Sequence, residues 1–364
     1  MRLSNTLSAY LARQYVFWVG SVFFGLISVA FVFDVVEMLR RGSGKQDASV
    51  GVLIQMSFLK LPHLVETLLP FVILFGAMLA FWRLARMNEV VVVRAAGVSV
   101  WQFLMPAIAL TIVIGAVHVA VFNPLAAVLL ARYEQLEAKL LKRSTSLLDV
   151  SKNGLWLRQA DNGGQSVIHA LGVGRDSMEL HDVIIFLYEG NDHFSGRIDA
   201  DVARLRQGYW EIEKAWISTP DRATQYAENY RLPTDLTVTK IQESFASPET
   251  MSFWQLPAFV ATLEAAGFSG HRHRLHYFTL LAYPILLCAM VLIAATFTLR
   301  VNRRSGAAVA VAGGVLFSFL LYFLSDVVHA LGLSASVPTL LAAWTPTGVT
   351  TMLGIAMLLH LEDG

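Results

Sequence analysis

The segment Lys60–Trp82, KLPHLVETLLPFVILFGAMLAFW, is almost wholly apolar beyond Glu66 and, as a helix, is long enough to cross a hydrocarbon core of roughly 30 Å. Five other runs of this kind lie at about 15–36, 101–122, 276–299, 307–329 and 338–360. Of the six, three precede and three follow a polar stretch of about 150 residues. That layout predicts an integral membrane protein whose work divides between a six-helix bundle and one projecting domain. The first run follows Arg2 and Arg13, but it is too long for a signal peptide and no small-residue cleavage site precedes Asp34, so it is expected to remain as a span.

Composition agrees. A hydrophobic fraction of 55% is high for a chain with a polar middle, so the apolar residues must be concentrated in the flanking thirds. A formal net charge of +1 provides no electrostatic footprint for nucleic acid, and none is expected as a partner. The single cysteine, Cys288, lies in the fourth run and excludes an intrachain disulfide. Basic residues in short loops set orientation. An inside N-terminus places Arg2, Arg13, Arg83, Arg86, Arg94, Arg300, Arg303 and Arg304 in the cytoplasm, against Arg40, Arg41, Lys45 and Lys60 opposite. Both termini are therefore expected in the cytoplasm, with the insert on the other side.

In the insert the period changes. Gly154–Ala160, Gln165–Val173, Leu180–Glu189, Ile198–Leu205, Tyr209–Ser218 and Leu236–Ile241 are short and rich in β-branched or aromatic residues, with turn chemistry at Asp161–Gly164, Gly190–Asp192 and Thr219–Asp221. Six to eight strands without helices between them suggest a β-sandwich or jelly roll. Ser252 reads as the N-cap of a helix running to about Ala266 and stopped by Gly267. The expected division is residues 1–124 with three spans, 125–270 with an all-β domain and flanking helices, and 271–364 with three more spans.

The link WRLARMNEVVVVRAAG, Trp82–Gly97, carries the most information in the fewest residues. As a continuous helix over about 84–97 it places Leu84, Met87, Val91 and Ala95 on one face, with Arg86 and Glu89 opposite beside Val90 and Val93. Two apolar faces with one carboxylate point to a protein partner; the alternative is a helix lying on lipid headgroups through Arg83, Arg86 and Arg94. Ionisable residues cluster at the far span ends. Asp34, Glu37 and Arg41 share a face, as do His63 with Glu66, and Tyr322 with Asp326 and His329. Three such clusters at one depth suggest a polar vestibule, against simple snorkelling at the interface. Gly306, Ala310 and Gly314 form a small-residue stripe suited to close helix packing. No H-E-x-x-H, C-x-x-C, G-x-S-x-G or P-loop occurs, so the chain is expected to be non-catalytic and to bind neither metal nor ATP.

Taken in order, the pattern from Tyr10 through Arg41, the link LARMNEVVVVRAAG, the segment SPETMSFWQLPAFVATLEAAG and the turn LRVNRRSG resemble the LptF/LptG permease family over essentially the whole chain. The start, the strand beginning Gly154-Leu155-Trp156 and the last two spans lie nearer its LptG branch. This resemblance implies one half of an ATP-driven lipopolysaccharide exporter in the inner membrane of a Gram-negative bacterium, with a periplasmic β-jelly roll. Implied partners are an LptF-type permease, an LptB-type ATPase dimer that holds the ATP and Mg, an LptC-type single-span protein and an LptA-type periplasmic bridge. It further implies that Glu89 enters a groove on the ATPase, with Arg86, Val90, Val93 and Arg94 around it, and that Arg40 and Arg41 meet lipid phosphates. At Asp34 the resemblance leads one to expect a basic residue instead. On this reading lipid enters a cavity where Phe31, Phe71, Leu74 and Phe319 hold acyl chains and the polar clusters meet the head group. A secondary transporter using intramembrane carboxylates, a lipid-modifying enzyme and a lipoprotein-exporting permease remain as alternatives.

Overall fold

The computed structural model describes residues 5–43, 49–141, 155–161, 164–173, 179–189, 193–220, 222–234, 247–265, 269–299 and 307–363. Leu236–Ile241, Gly267 and Gly306 lie outside them. Two compact units result. One holds residues 1–133, 249–256 and 271–364; the other holds 134–248 and 257–270.

The first unit is a helical bundle. Its elements are α1 (Asn5–Gly42), α2 (Val50–Arg86), the short α3 (Glu89–Ala95), α4 (Val100–Val117), a π-helical turn (His118–Phe122) leading into α5 (Asn123–Leu140), α7 (His271–Leu299), α8 (Ala307–Leu333) and α9 (Thr339–Asp363). Among the described residues six helices are long and apolar enough to cross a membrane, as the sequence predicts. Local chemistry sets their starts. Ser99 and Gln102 close a reciprocal capping box at α4, and the Ser49 hydroxyl accepts from the Val52 amide at α2.

The bundle core centres on α2 and α7. Val72, Ile73, Leu74 and Ala77 meet Leu287, Met290, Val291 and Ala294 there. By contrast α1 buries one narrow stripe, Leu11, Tyr15, Val19, Ile27, Asp34 and Met38, at helical spacing. Close approach of α1 to α2 depends on Gly76, where an added Cβ would lie 2.6 Å from the Val19 Cα.

The second unit contains one antiparallel sheet, ordered β1-β2-β3-β4-β5-β6: Leu155–Asp161, Gly164–Val173, Glu179–Glu189, His193–Arg206, Tyr209–Thr219 and Arg222–Pro233. The expected turns at Asp161–Gly164, Gly190–Asp192 and Thr219–Asp221 lie wholly or partly outside the described residues. Gly208, at φ +84°, makes the tight turn before β5. Two non-glycine residues, Asp182 and Lys214, also take positive φ within strands. At each the inward parity shifts, from Leu180 to Val183 and Ile185, and from Trp210 and Ile212 to Ala215. The pairing register runs unchanged across both positions and shifts instead at Leu187/Tyr188 and Ile217/Thr219, while Leu157 of β1, Trp210 and Ile212 of β5 and Leu232 of β6 share one interior. The β1 residue Gln159 accepts from Trp210 Nε1 of β5 at 3.2 Å and from Thr234 Oγ1, beyond β6, at 2.6 Å. On the outer face Lys214 pairs with Asp201 at 2.9 Å, which raises the Lys214 ammonium above its ordinary value.

Three expectations change. The strand Arg222–Pro233 escaped the sequence reading because RATQYAENYRLP is polar and mostly exposed, as a sheet edge allows. The connectivity among the described strands is a meander without the crossovers of a jelly roll. Finally, α6 spans Leu256–Ala265, so Ser252 is not its cap; the Ser252 carbonyl instead accepts the Gln255 and Leu256 amides in a preceding turn.

Candidate functional site

Chemistry-bearing side chains collect at both ends of the bundle. At the end carrying the Trp82–Gly97 link, the continuous helix expected over 84–97 is broken. Helix α2 stops at Arg86, Asn88 adopts left-handed backbone at φ 58°, and α3 begins at Glu89. The break changes which residues face out. Val90 and Val93 are part-buried and pack against the bundle core, whereas Met87, Val91 and Val92 are exposed. Arg86 and Arg94 are exposed, and the Arg86 guanidinium lies 5.2 Å from the Trp82 ring. The sequence reading missed the group that holds Glu89: the Tyr10 hydroxyl of α1 donates to Glu89 Oε1 at 3.0 Å. One turn further along α1, Gln14 accepts from Arg83. The start of α1 therefore fixes the link.

At the opposite end the three ionisable clusters do not converge. On α1, Asp34 turns away from Arg41 into the α2 contact and pairs with Lys60 at 2.7 Å, with Lys60 also 5.7 Å from the Tyr133 ring. Asp34 is 8% exposed and its Oδ2 has no hydrogen-bond partner, so a carboxylate sits where a free charge would be costly. Glu37 meanwhile gathers Arg40 at 2.8 Å and Arg41 at 2.7 Å on the exposed side. Tyr322, Asp326 and His329 lie on the exposed face of α8 with Phe319, itself 66% exposed. Phe31 packs on Phe58 at 4.8 Å and Phe71 is partly buried. Leu74 is 0% exposed inside the core and presents no surface to a lipid chain. The expected vestibule is therefore not enclosed by this chain's described residues. In the small-residue stripe, Gly314 faces Met78 and Phe75 of α2.

His63 and Glu66 point inward and meet residues distant in sequence. Asn123 donates to Glu66 Oε1 at 3.1 Å, and His118 Nε2 lies 3.7 Å from the same oxygen. His118 stacks between Phe122 and Tyr283, at 5.5 and 4.7 Å. Two prolines explain the arrangement. Pro70 has no N–H for the Glu66 carbonyl four residues back, and the Tyr283 hydroxyl donates there at 2.6 Å. Pro124 likewise offers nothing to Ala120, and Trp254 Nε1 donates to that carbonyl at 3.0 Å beside the widened π turn. No group of three or more histidine, cysteine or acidic residues suited to a metal occurs among the described residues.

Six membrane-length helices and a separate β-unit define a multi-pass membrane protein. The model of the lipopolysaccharide export system permease LptF/LptG family matches residues 9–360, and the chain belongs to that family. Among its relatives is the lipopolysaccharide export system permease protein LptG of Escherichia coli strain K12, 23% identical over 375 residues covering 99% of each chain. The protein of the same name from Haemophilus influenzae strain Rd is 22% identical over 358 residues, covering 94% of this chain and 95% of the relative.

Proposed function

We propose that this chain is the permease subunit of an ATP-driven exporter that lifts lipopolysaccharide from the outer leaflet of the inner membrane toward a periplasmic bridge. The observation that carries the reading is a family match over nearly the whole chain, joined to a Glu89 carboxylate displayed on a helix of seven residues. In this reading Glu89 inserts into an LptB-type ATPase, which holds ATP and Mg, with Met87, Val91 and Val92 beside it and Arg86 and Arg94 flanking. An LptF-type permease covers the exposed faces of α1 and α8. There Phe319, Tyr322, Asp326 and His329 would line a shared cavity, with Phe31 and Phe71 toward the acyl chains and Arg40 and Arg41 toward phosphates. The β-unit lies in the periplasm, both termini are cytoplasmic, and LptC-type and LptA-type proteins receive the lipid.

The energetic need for such a cavity is plain. Bringing acyl chains into water costs about 0.8 kcal/mol per CH₂, on the order of tens of kcal/mol for a multi-acyl lipid. A permease must replace one apolar environment with another while the head group keeps polar partners. Arg40 and Arg41, already neutralised in part by Glu37, can exchange that carboxylate for phosphate, which leaves the part-exposed Glu37 to water.

The test is purification from native membranes followed by release assays in vesicles. A second six-span subunit and an ATPase should co-purify, and Glu89→Ala should cut ATPase retention or lipid released per ATP by about tenfold. Undiminished export and complex yield reject the role of Glu89, and full-rate lipid release without any ATPase rejects the reading as a whole.

A further inference from the structure

The inward cluster around Glu66 is not used by the export reading, and its geometry is specific. His63 stands between two carboxylates: Nδ1 is 3.9 Å from Glu66 Oε2 and Nε2 is 3.7 Å from Glu249 Oε2. Glu66 belongs to α2, while Glu249 sits on the 3-10 turn Pro248–Thr250, where the chain returns toward α6. A neutral imidazole has one N–H. Whichever tautomer it adopts, its other nitrogen turns a lone pair toward a carboxylate. One added proton removes that conflict, either as imidazolium donating to both sides or as a protonated Glu66 donating to Nδ1 while Nε2–H donates to Glu249. Both gaps exceed hydrogen-bond length, and a closure of about 1 Å in each completes the row.

The return arm that this row would hold is bound to the bundle at independent points. The Phe253 amide donates to Asn123 Oδ1 at 2.9 Å, Trp254 Nε1 donates to Ala120, and the Phe253 ring stacks on Tyr277 at 5.2 Å. Asn123 bridges the two systems, because its amide nitrogen donates to Glu66 while its oxygen accepts from Phe253.

We infer that Glu66, His63 and Glu249 form a proton-binding site whose occupancy fastens the return arm, residues 249–256, onto α2 and the π turn. The bound species is a single proton shared along the row, taken from water and returned to it, with no other bond made or broken. Other titratable groups face the row. Lys60 lies one turn away on α2, His118 approaches from the π turn, and His63 acts electrostatically on His276 of α7. His273 and His329 act in turn on His276, and the Tyr283 phenol is engaged with the Glu66 carbonyl. Of these, only His63 has a carboxylate facing each ring nitrogen among the described contacts. The inference goes beyond export and stands whether or not Glu89 meets an ATPase.

The test is hydrogen exchange on the full-length chain, with its co-purifying subunits, in lipid nanodiscs. After correction for intrinsic rates, amides of residues 249–256 should exchange about tenfold more slowly near pH 5.5 than near pH 8, the factor expected from one charge-assisted bond. His63→Gln should flatten that dependence. Glu249→Gln, on the more exposed partner, should do the same and serves if His63→Gln does not fold. His118→Gln should leave the dependence in place. A flat wild-type profile, a wild-type slope in both His63→Gln and Glu249→Gln, or loss of the slope in His118→Gln would each overturn the assignment.

Discussion

Helices α1 and α2 are nearly twins in sequence terms, 38 and 37 residues long with mean hydropathies of 2.3 and 2.2 in their most apolar windows, yet they occupy opposite environments. Most of the α2 window is buried, and almost none of the α1 window is. Hydropathy reports that a helix crosses a membrane; it is silent on whether lipid or protein surrounds it. What separates the two is the placement of small and polar groups. Helix α2 offers Gly76, Ala77 and Ala80 to its neighbours, whereas α1 meets the bundle through one stripe and a few polar ties: Tyr10 to Glu89, Gln14 to Arg83, Tyr15 to Thr111 at 2.6 Å, and Asp34 to Lys60. A helix held at points can shift as a unit, and one embedded in a core cannot.

The ties can be broken one at a time. The largest effect is expected from Lys60→Met, which strands the buried Asp34 carboxylate and should cost about 3 kcal/mol, read as a lower denaturation midpoint of the purified complex. Adding Asp34→Leu should recover most of that loss, because a matched apolar pair leaves no buried charge; an uncorrected double variant would show that the pair is not what joins the helices there. Gly76→Ala comes next. Its methyl meets the Val19 backbone, so about 2 kcal/mol of overpacking should appear, with cross-linking between α1 and α2 weakened and that between α2 and α7 unchanged. Tyr283→Phe removes the donor for the Glu66 carbonyl and should cost about 1 kcal/mol, this time within the embedded pair. Smallest in stability, within about 0.5 kcal/mol, is Tyr10→Phe. Its signature should be kinetic, a change in lipid released per ATP that is non-additive with Glu89→Gln; strict additivity would separate Tyr10 from the link's function.

Much of this architecture was legible from pattern alone. The six spans and five of the strands follow from periodicity. The remainder depended on partners far away in the chain. Nothing local marks Leu74 as interior and Phe319 as exterior, since both are apolar residues in apolar runs. Asp34 read as a neighbour of Arg41 because helical spacing puts them on one face; Lys60, on another helix, captures it instead. The break at Asn88 was hidden by a helical period that ran through it, although asparagine is among the few residues that tolerate left-handed backbone. Pro124 was a visible signal. A proline beyond a helix's first turn always raises the question of what serves the carbonyl four residues earlier, and here the answer lies 134 positions downstream.

That separation has a bearing on biogenesis. The indole of Trp254 and the amide of Phe253 complete polar contacts at residues 120 and 123, so this end of the third span cannot reach its finished state until everything between has been synthesised. A ribosome-bound intermediate ending before residue 253 would carry that turn without these two partners. The arm's two contacts thus tie the last turns of the third span to a segment made only after the β-unit.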